Sequence, residues 1–424
     1  MEAVTSIGQF RWRFFIIRAF SGLIMGIIAP VMYLVLQAKG FNMLQIGTLV
    51  IVSSISTMVL EVPCGMLSDR LGRKTLFIFG QLSMLLFVLG MYSLNSWGIM
   101  LLVMVCAGMS TAMISGTLDA LFVEQLKAQQ LGSRQLQRGL AHFSLANQMG
   151  MLLGALLSGA LFADAVLVSS RDSSSNLADY TMNYGLVALL LPLQMLLSGY
   201  LLHEATSPSA TPVRQGLLPL LQEAWQPLMQ QATLRLLLLS SALGATAYIS
   251  FEKFWQLQLK TLIGEQPLAW LFGALFAGSI LLGMAGQAMS PRFCRLFNYN
   301  YVAANIAIRL LQAALFAALF WAQHWLSFVL VFALIYWVSA LSYSPVMTLF
   351  HSEVRDSERS TMLSIRSVFI QLGAVLGVGI AACSAEYGSL RLAFFVSALI
   401  YLLSIAVLFA PSLRRLGVRL AEEA

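Results

Sequence analysis

The sequence predicts an all-α membrane protein, with twelve transmembrane helices in two pseudo-symmetric six-helix halves. Three observations lead there. Of the 424 residues, 59% are hydrophobic and only 10% charged, against about a quarter charged in soluble domains. The apolar residues gather into twelve runs, each near the ~20 residues a helix needs to cross the hydrocarbon core. The longest polar interruption falls after the sixth run, so the chain divides into two equal sets.

The first span, 14–38, holds "FFIIRAFSGLIMGIIAPVMYLVL" and no small-residue cleavage site after a short apolar core. It reads as a retained helix rather than a signal peptide. Spans 2 to 6 follow at 46–67, 75–93, 98–121, 140–166 and 183–203. Then comes "HEATSPSATPVRQGLLPLLQEAWQPLMQQATLR", Ser/Pro-rich at its start and amphipathic afterwards, which reads as a linker. Spans 7 to 12 occupy 234–258, 267–289, 301–322, 326–350, 361–384 and 391–410. The expected organisation is an N-terminal half (1–203), a cytoplasmic linker with an amphipathic helix (204–233) and a C-terminal half (234–424).

Charge sets the orientation. With both termini in the cytoplasm, 17 of the 25 lysines and arginines fall inside and only Lys39, Arg171, Lys260 and Arg391 outside, a strong positive-inside bias. This placement in short loops turns the net charge of +7 into a topology signal rather than a nucleic-acid footprint. A multi-pass inner-membrane protein is expected, monomeric and without nucleic-acid partners. Cys64, Cys106, Cys294 and Cys383 are scattered singly in or beside apolar runs, so free thiols are expected. The four histidines form no HExxH or HxxH pair, so neither a metal nor a cofactor is expected. No convergent nucleophile–base set is legible, which argues against a membrane enzyme.

Between spans 2 and 3 the segment "GMLSDRLGRKT" crowds Gly65, Asp69, Arg70, Gly72, Arg73 and Lys74 into one short turn. It is not a nucleotide-phosphate loop. Six residues separate Gly65 from Gly72 where that motif has four, and an arginine precedes the lysine. ATP-driven transport is therefore excluded. The pattern resembles in full the signature loop between the second and third helices of the major facilitator superfamily. "EVP" before it, "SGTLDALFVEQL" (115–126) and "RSTMLSIRS" (359–367) resemble a bacterial twelve-helix branch of that superfamily. After span 8, "GQAMSPRFCRLF" repeats the glycine-to-basic spacing with Gly286, Arg292 and Arg295 but no aspartate. Such internal repetition is frequent in secondary transporters.

The resemblance implies two halves around a central cavity that opens alternately to either side. It also implies that the loop glycines let helices approach closely and that Asp69 meets the positive end of span 11. The loop cations would meet Asp119 or Glu124 at the cytoplasmic end of span 4. Gly65, Asp69, Arg70, Gly72, Arg73, Lys74, Asp119 and Glu124 are thus expected gating residues, with Asp69, Arg73 and Asp119 as a coupled cluster. Span 4 lacks the arginine of many proton-coupled members. Span 5 has Gly150, Gly154 and Gly159 without the Gly-Pro signature of the drug/proton antiporter branch.

Ionisable residues inside spans are costly and mark function by default. Positions i, i+4 and i+8 share a helix face. Ser53, Thr57 and Glu61 make such a stripe on span 2, and Thr111, Ser115 and Asp119 another on span 4. Span 7 carries Ser240, Gly244, Tyr248, Glu252 and Gln256 beside Trp255; span 10 carries Tyr336, Ser339 and Tyr343; span 5 adds Asn147 and Gln148. Expected substrate contacts are Arg18, Asn147, Gln148, Tyr248, Glu252, Trp255, Gln256, Tyr336 and Tyr343. For Arg18, a cavity position and snorkelling to the surface weigh equally. Expected proton carriers are Glu252, Glu61 and Asp119. Glu252 and Lys253 point about 100° apart on a helix, so a weak mutual pull is expected. Glu61 and Arg366 lie at matching depth and are expected to pair as a gate. Arg309, about nine residues into span 9, needs an anion or a wet cavity; Glu252 is the first candidate partner.

The functional expectation is a secondary active transporter moving a small organic solute by alternating access, most simply proton-driven export of an amphipathic, drug-like or secondary-metabolite compound. Its partners are that solute, protons and the lipid bilayer. An importer of a sugar or anionic metabolite is the alternative, supported by Arg18 and Arg309. A non-transporting receptor or a lipid-moving protein on the same fold is a further one.

Overall fold

The computed structural model describes residues 2–128, 133–169, 176–202, 231–264, 268–354 and 359–422. The linker expected at 204–233 lies almost wholly outside the described residues. Among them every regular element is helical, and twelve helices are long and apolar enough to cross a membrane. They run Trp12–Ala38, Met43–Glu61, Arg73–Ser93, Trp97–Leu126, Arg138–Leu161, Thr181–Leu201, Ala232–Ile263, Trp270–Arg295, Tyr301–Trp321, Trp325–Glu353, Met362–Tyr387 and Leu390–Leu408. Each coincides with a span read from hydropathy, and the chain is a multi-pass, all-helical membrane protein. A short amphipathic helix, Pro411–Glu422, follows span 12; its buried side is Leu413 and Leu416, and Arg419 reaches back to Glu353 at 2.7 Å.

Three spans are broken where a straight helix was expected. Span 1 consists of Glu2–Ile28 and Met32–Ala38, span 4 of Trp97–Ile114 and Thr117–Ala128, and span 10 of Trp325–Leu341 and Tyr343–Glu353. In span 4 the break is Gly116, with a φ of 71° that only glycine adopts readily. The expected stripe Thr111, Ser115, Asp119 assumed one continuous helix. Ser115 leaves helical geometry there (ψ 123°), so Asp119 belongs to a separate short helix and its angular relation to Thr111 is lost.

Contacts sort the chain into two compact units. The first comprises Met1–Phe41, Thr48–Val213 and Gln266–Ala277; the second comprises Asn42–Gly47, Arg214–Glu265 and Gly278–Ala424. In the first unit, spans 1 and 5 interlock through glycines four apart. A Cβ at Gly22 would lie 2.2 Å from the Asn147 carbonyl oxygen, and one at Gly150 would lie 1.9 Å from that of Ala19. Gly26 and Gly154 repeat the fit one turn on, at 2.3 Å from Met151 and 2.2 Å from Leu23 carbonyl oxygens. Without a hydrophobic drive between helices in lipid, close backbone approach of this kind supplies the association energy. Phe14, Phe122 and Phe143 fill the core toward the motif end of this unit, Phe122 and Phe143 stacked at 4.6 Å. At the opposite end Lys39 donates to the Leu94 carbonyl (2.6 Å) and to Asn95 Oδ1 (2.8 Å), tying down the turn between spans 3 and 4. Its burial lowers the ammonium below the usual lysine pKa.

In the second unit, spans 7 and 9 are the most buried of the membrane helices. Phe251 meets Phe316, Phe332, Tyr336 and Phe394, with ring centroids 5.5–5.9 Å apart. Those rings come from spans 9, 10 and 12, so one aromatic knot fixes four helices about the space beside Tyr248 and Glu252.

Candidate functional site

Two sets of polar residues stand out, one in each unit. In the first unit the helix Met43–Leu71 stops at Gly72, whose φ of 90° reverses the chain, and the helix Arg73–Ser93 starts at once. The second motif glycine is therefore a backbone requirement. Arg73 Nη2 pairs with Glu124 Oε1 at 2.8 Å, and Lys74 Nζ donates to the Gly199 carbonyl at 2.6 Å. Arg18 Nη1 meets Asp119 Oδ2 at 3.5 Å while its guanidinium lies 5.0 Å from the Phe143 ring centre. The two acids of the short helix Thr117–Ala128 thus take different cations: Glu124 takes the loop arginine, and Asp119 takes Arg18. Arg70 and Glu61 are exposed. The Asp69 side chain lies outside the described residues. Gly65 was expected to permit close helix approach, yet a Cβ there would meet no described atom within 4 Å. Asn147 and Gln148 are half-buried, Asn147 Nδ2 lying 3.5 Å from Met151 Sδ of its own helix.

The second unit holds an open-sided cavity of about 440 Å³ lined by spans 7, 8, 9, 10, 11 and 12. Span 7 presents Gly244, Tyr248 and Glu252; span 10 presents Tyr336, Ser339 and Tyr343. Tyr248 and Tyr336 meet edge to face, centroids 6.3 Å apart, and Tyr401 of span 12 adds another aromatic wall. The polar lining is Glu252, Gln287, Arg309, Gln312 and Arg366 with three serines. Gln312 Nε2 donates to Ser339 Oγ at 3.1 Å.

Three details differ from the sequence-based expectations. Glu252 and Lys253 are in contact, Nζ to Oε1 at 2.8 Å, because both side chains are long enough to bend across the 100° between them. Trp255 and Gln256 are 1% and 2% exposed and lie in the core rather than on the cavity; Trp255 packs edge-on to Phe332 at 4.9 Å. Arg309 does not reach Glu252. Its guanidinium stands 5.3 Å from the Tyr401 ring centre, with Nη2 3.5 Å from the Ser240 carbonyl oxygen. A Cβ at Gly244 would come within 2.2 Å of Nη2, so that glycine holds open the guanidinium's seat. Arg366 stacks over Phe350 at 5.9 Å.

Gln287, Arg309, Gln312 and Tyr401 were missing from the expected contacts. A charge nine residues into an apolar run was the available signal for Arg309. Gln312, one turn further along the same helix, was the signal that this face is wet.

A twelve-span helical membrane protein with a cavity of mostly apolar walls and a few polar groups has the architecture common among membrane transporters. Comparison with known proteins agrees: the family model described as Major Facilitator Superfamily matches residues 14–308, and the chain belongs to that superfamily. It is 24% identical over 271 residues to a Bacillus subtilis (strain 168) protein named "Uncharacterized MFS-type transporter YxaM", a match spanning 61% of each chain. The nucleoside transporter NupG has the same fold, with a TM-score of 0.74 at 13% identity over 95% of this chain and 98% of that one. So does a bacterial homologue of the human lysosomal transporter Spinster, in an inward-facing, unoccupied conformation: TM-score 0.68, 14% identity, 97% of both chains. The chain is therefore a twelve-span membrane protein of a superfamily whose matched relatives are named as transporters.

Proposed function

We propose that this transporter carries a small amphipathic organic solute across the inner membrane by alternating access, exporting it against the inward flow of protons. The observation that supports this most directly is the cavity of the second unit. Its about 440 Å³ fall within the ~300–1,000 Å³ of small-molecule sites. Tyrosines from three spans give it broad apolar faces, while amides and serines give it a few directional contacts. Such a lining suits a molecule with an aromatic body and a polar handle.

Glu252 is the proton carrier in this reading. It is a carboxylate on the cavity wall, held by Lys253 at 2.8 Å. Protonation neutralises Glu252 and ends its charge pairing with Lys253, so proton binding changes the charge of the wall that the solute meets. Orientation rests on the positive-inside bias, and export rests on the amphipathic lining. The solute is to be found first, by comparing what cells with and without the gene retain. Proteoliposomes containing wild-type chain should then concentrate it along an imposed pH gradient. Glu252→Gln should lower that accumulation at least tenfold yet keep solute exchange without a gradient. Undiminished accumulation by the variant would remove Glu252 from the coupling.

A further inference from the structure

We infer that the cargo is an organic anion whose acidic group seats against Arg309. The inference rests on the transporter reading only in supposing that a cargo enters this cavity. It starts from charge pairing. Arg18 has Asp119, Arg73 has Glu124, Lys253 has Glu252 and Arg419 has Glu353. Arg309 has no carboxylate within 4 Å among the described residues, although it is 7% exposed in the middle of a membrane span. Its Nε makes no hydrogen bond, and Nη2 reaches only a carbonyl oxygen at the long limit of 3.5 Å.

A guanidinium in that setting is costly unless an anion completes it. The protein has nevertheless prepared its seat. Gly244 leaves the space that any side chain would fill, and Tyr401 supplies a π face at 5.3 Å. Both the arginine and the glycine line the cavity, so the unsatisfied edge belongs to the compartment where a solute would sit. The rest of the lining has the same sign. Glu252 is neutralised by Lys253, and Arg366 also faces the cavity with its Nε unbonded. The wall therefore carries two guanidinium charges, and among the described residues neither has a carboxylate within 4 Å. A planar oxyanion, above all a carboxylate, matches the two-pronged donor edge of a guanidinium. The tyrosines define the rest of the molecule: an aromatic or otherwise flat apolar body.

The test is binding, which separates it from flux. Thermal unfolding of the detergent-purified full chain is measured with benzoate, 4-hydroxybenzoate, cinnamate, 1-naphthoate and phenyl phosphate, each beside its neutral amide or ester. Ligand binding to the folded state raises the midpoint in proportion to concentration over Kd. Acids should stabilise and their neutral partners should not; Arg309→Gln should weaken the best acid at least tenfold. Overturning results are equal stabilisation by acid and neutral partner, no stabilisation by any acid, or unchanged affinity in a folded Arg309→Gln protein. Stabilisation by phosphatidylglycerol micelles that Arg309→Gln alone removes would assign the cation to lipid and also overturn the proposal. The wild-type panel decides even if the variant fails to fold. Acid-selective binding without proton-driven flux would sink the proton-coupled export reading and leave this one standing.

Discussion

Arg73 and Glu124 illustrate how little an ion pair reveals about its purpose. Their 2.8 Å contact joins a 22% exposed arginine to a 55% exposed glutamate, and such pairs contribute about 0–1 kcal/mol to stability. A merely structural bridge would therefore be nearly dispensable. If the signature loop works as a gate, Glu124→Gln should shift the unfolding midpoint by only a few degrees while slowing flux several-fold. Equal flux in the variant would reduce the pair to decoration. The same scale shows what one sequence can and cannot disclose. Gly244, Tyr248 and Glu252, spaced by four, do line the cavity, but each such step turns the helix ~40° further. Three steps carry Gln256 about 120° from Gly244 and into the core, where it is 2% exposed. Arg309 declared itself as an oddity in an apolar run. Its surroundings did not, because Ser240, Gly244 and Tyr401 come from two other spans.

Among the elements, hydropathy located all twelve spans because lipid demands the same apolar length of every one. Internal breaks escaped it, since a glycine such as Gly116 inside an apolar run is ambiguous until its φ is known. The glycines themselves divide by surroundings. Gly150 has a carbonyl oxygen where its Cβ would be, at 1.9 Å, whereas Gly65 has open space. Gly150→Ala should thus lower the thermal midpoint by several degrees or abolish monodisperse protein on size-exclusion chromatography. Gly65→Ala, though in the more recognisable motif, should leave stability unchanged. Equal tolerance of both would mean that spans 1 and 5 do not depend on glycine contact.

For the whole molecule, the orientation we propose, with both termini in the cytoplasm, rests on the loop cations. A fluorescent protein fused to the C-terminus should light up in the cytoplasm, and a cysteine placed at Asn95 should react with an impermeant maleimide added outside; the reverse pattern would invert the reading. Lys39, one of the few cations assigned outside, is no exception to that rule, because it is spent on holding Leu94 and Asn95. The glycine interlock of spans 1 and 5 also bears on how the chain is made. Gly26 and Gly154 are 154 − 26 = 128 residues apart. At ~5–20 residues per second the ribosome needs about 6–25 s to cover that distance. Through that interval the notched face of span 1 sits in the bilayer without its mate, while spans 2, 3 and 4 are threaded past it. Span 1 is thus made before the other five spans of its half yet is among the last of them to be locked in place, and a nascent chain halted before span 5 is left with a vacant groove open to any other helix that passes.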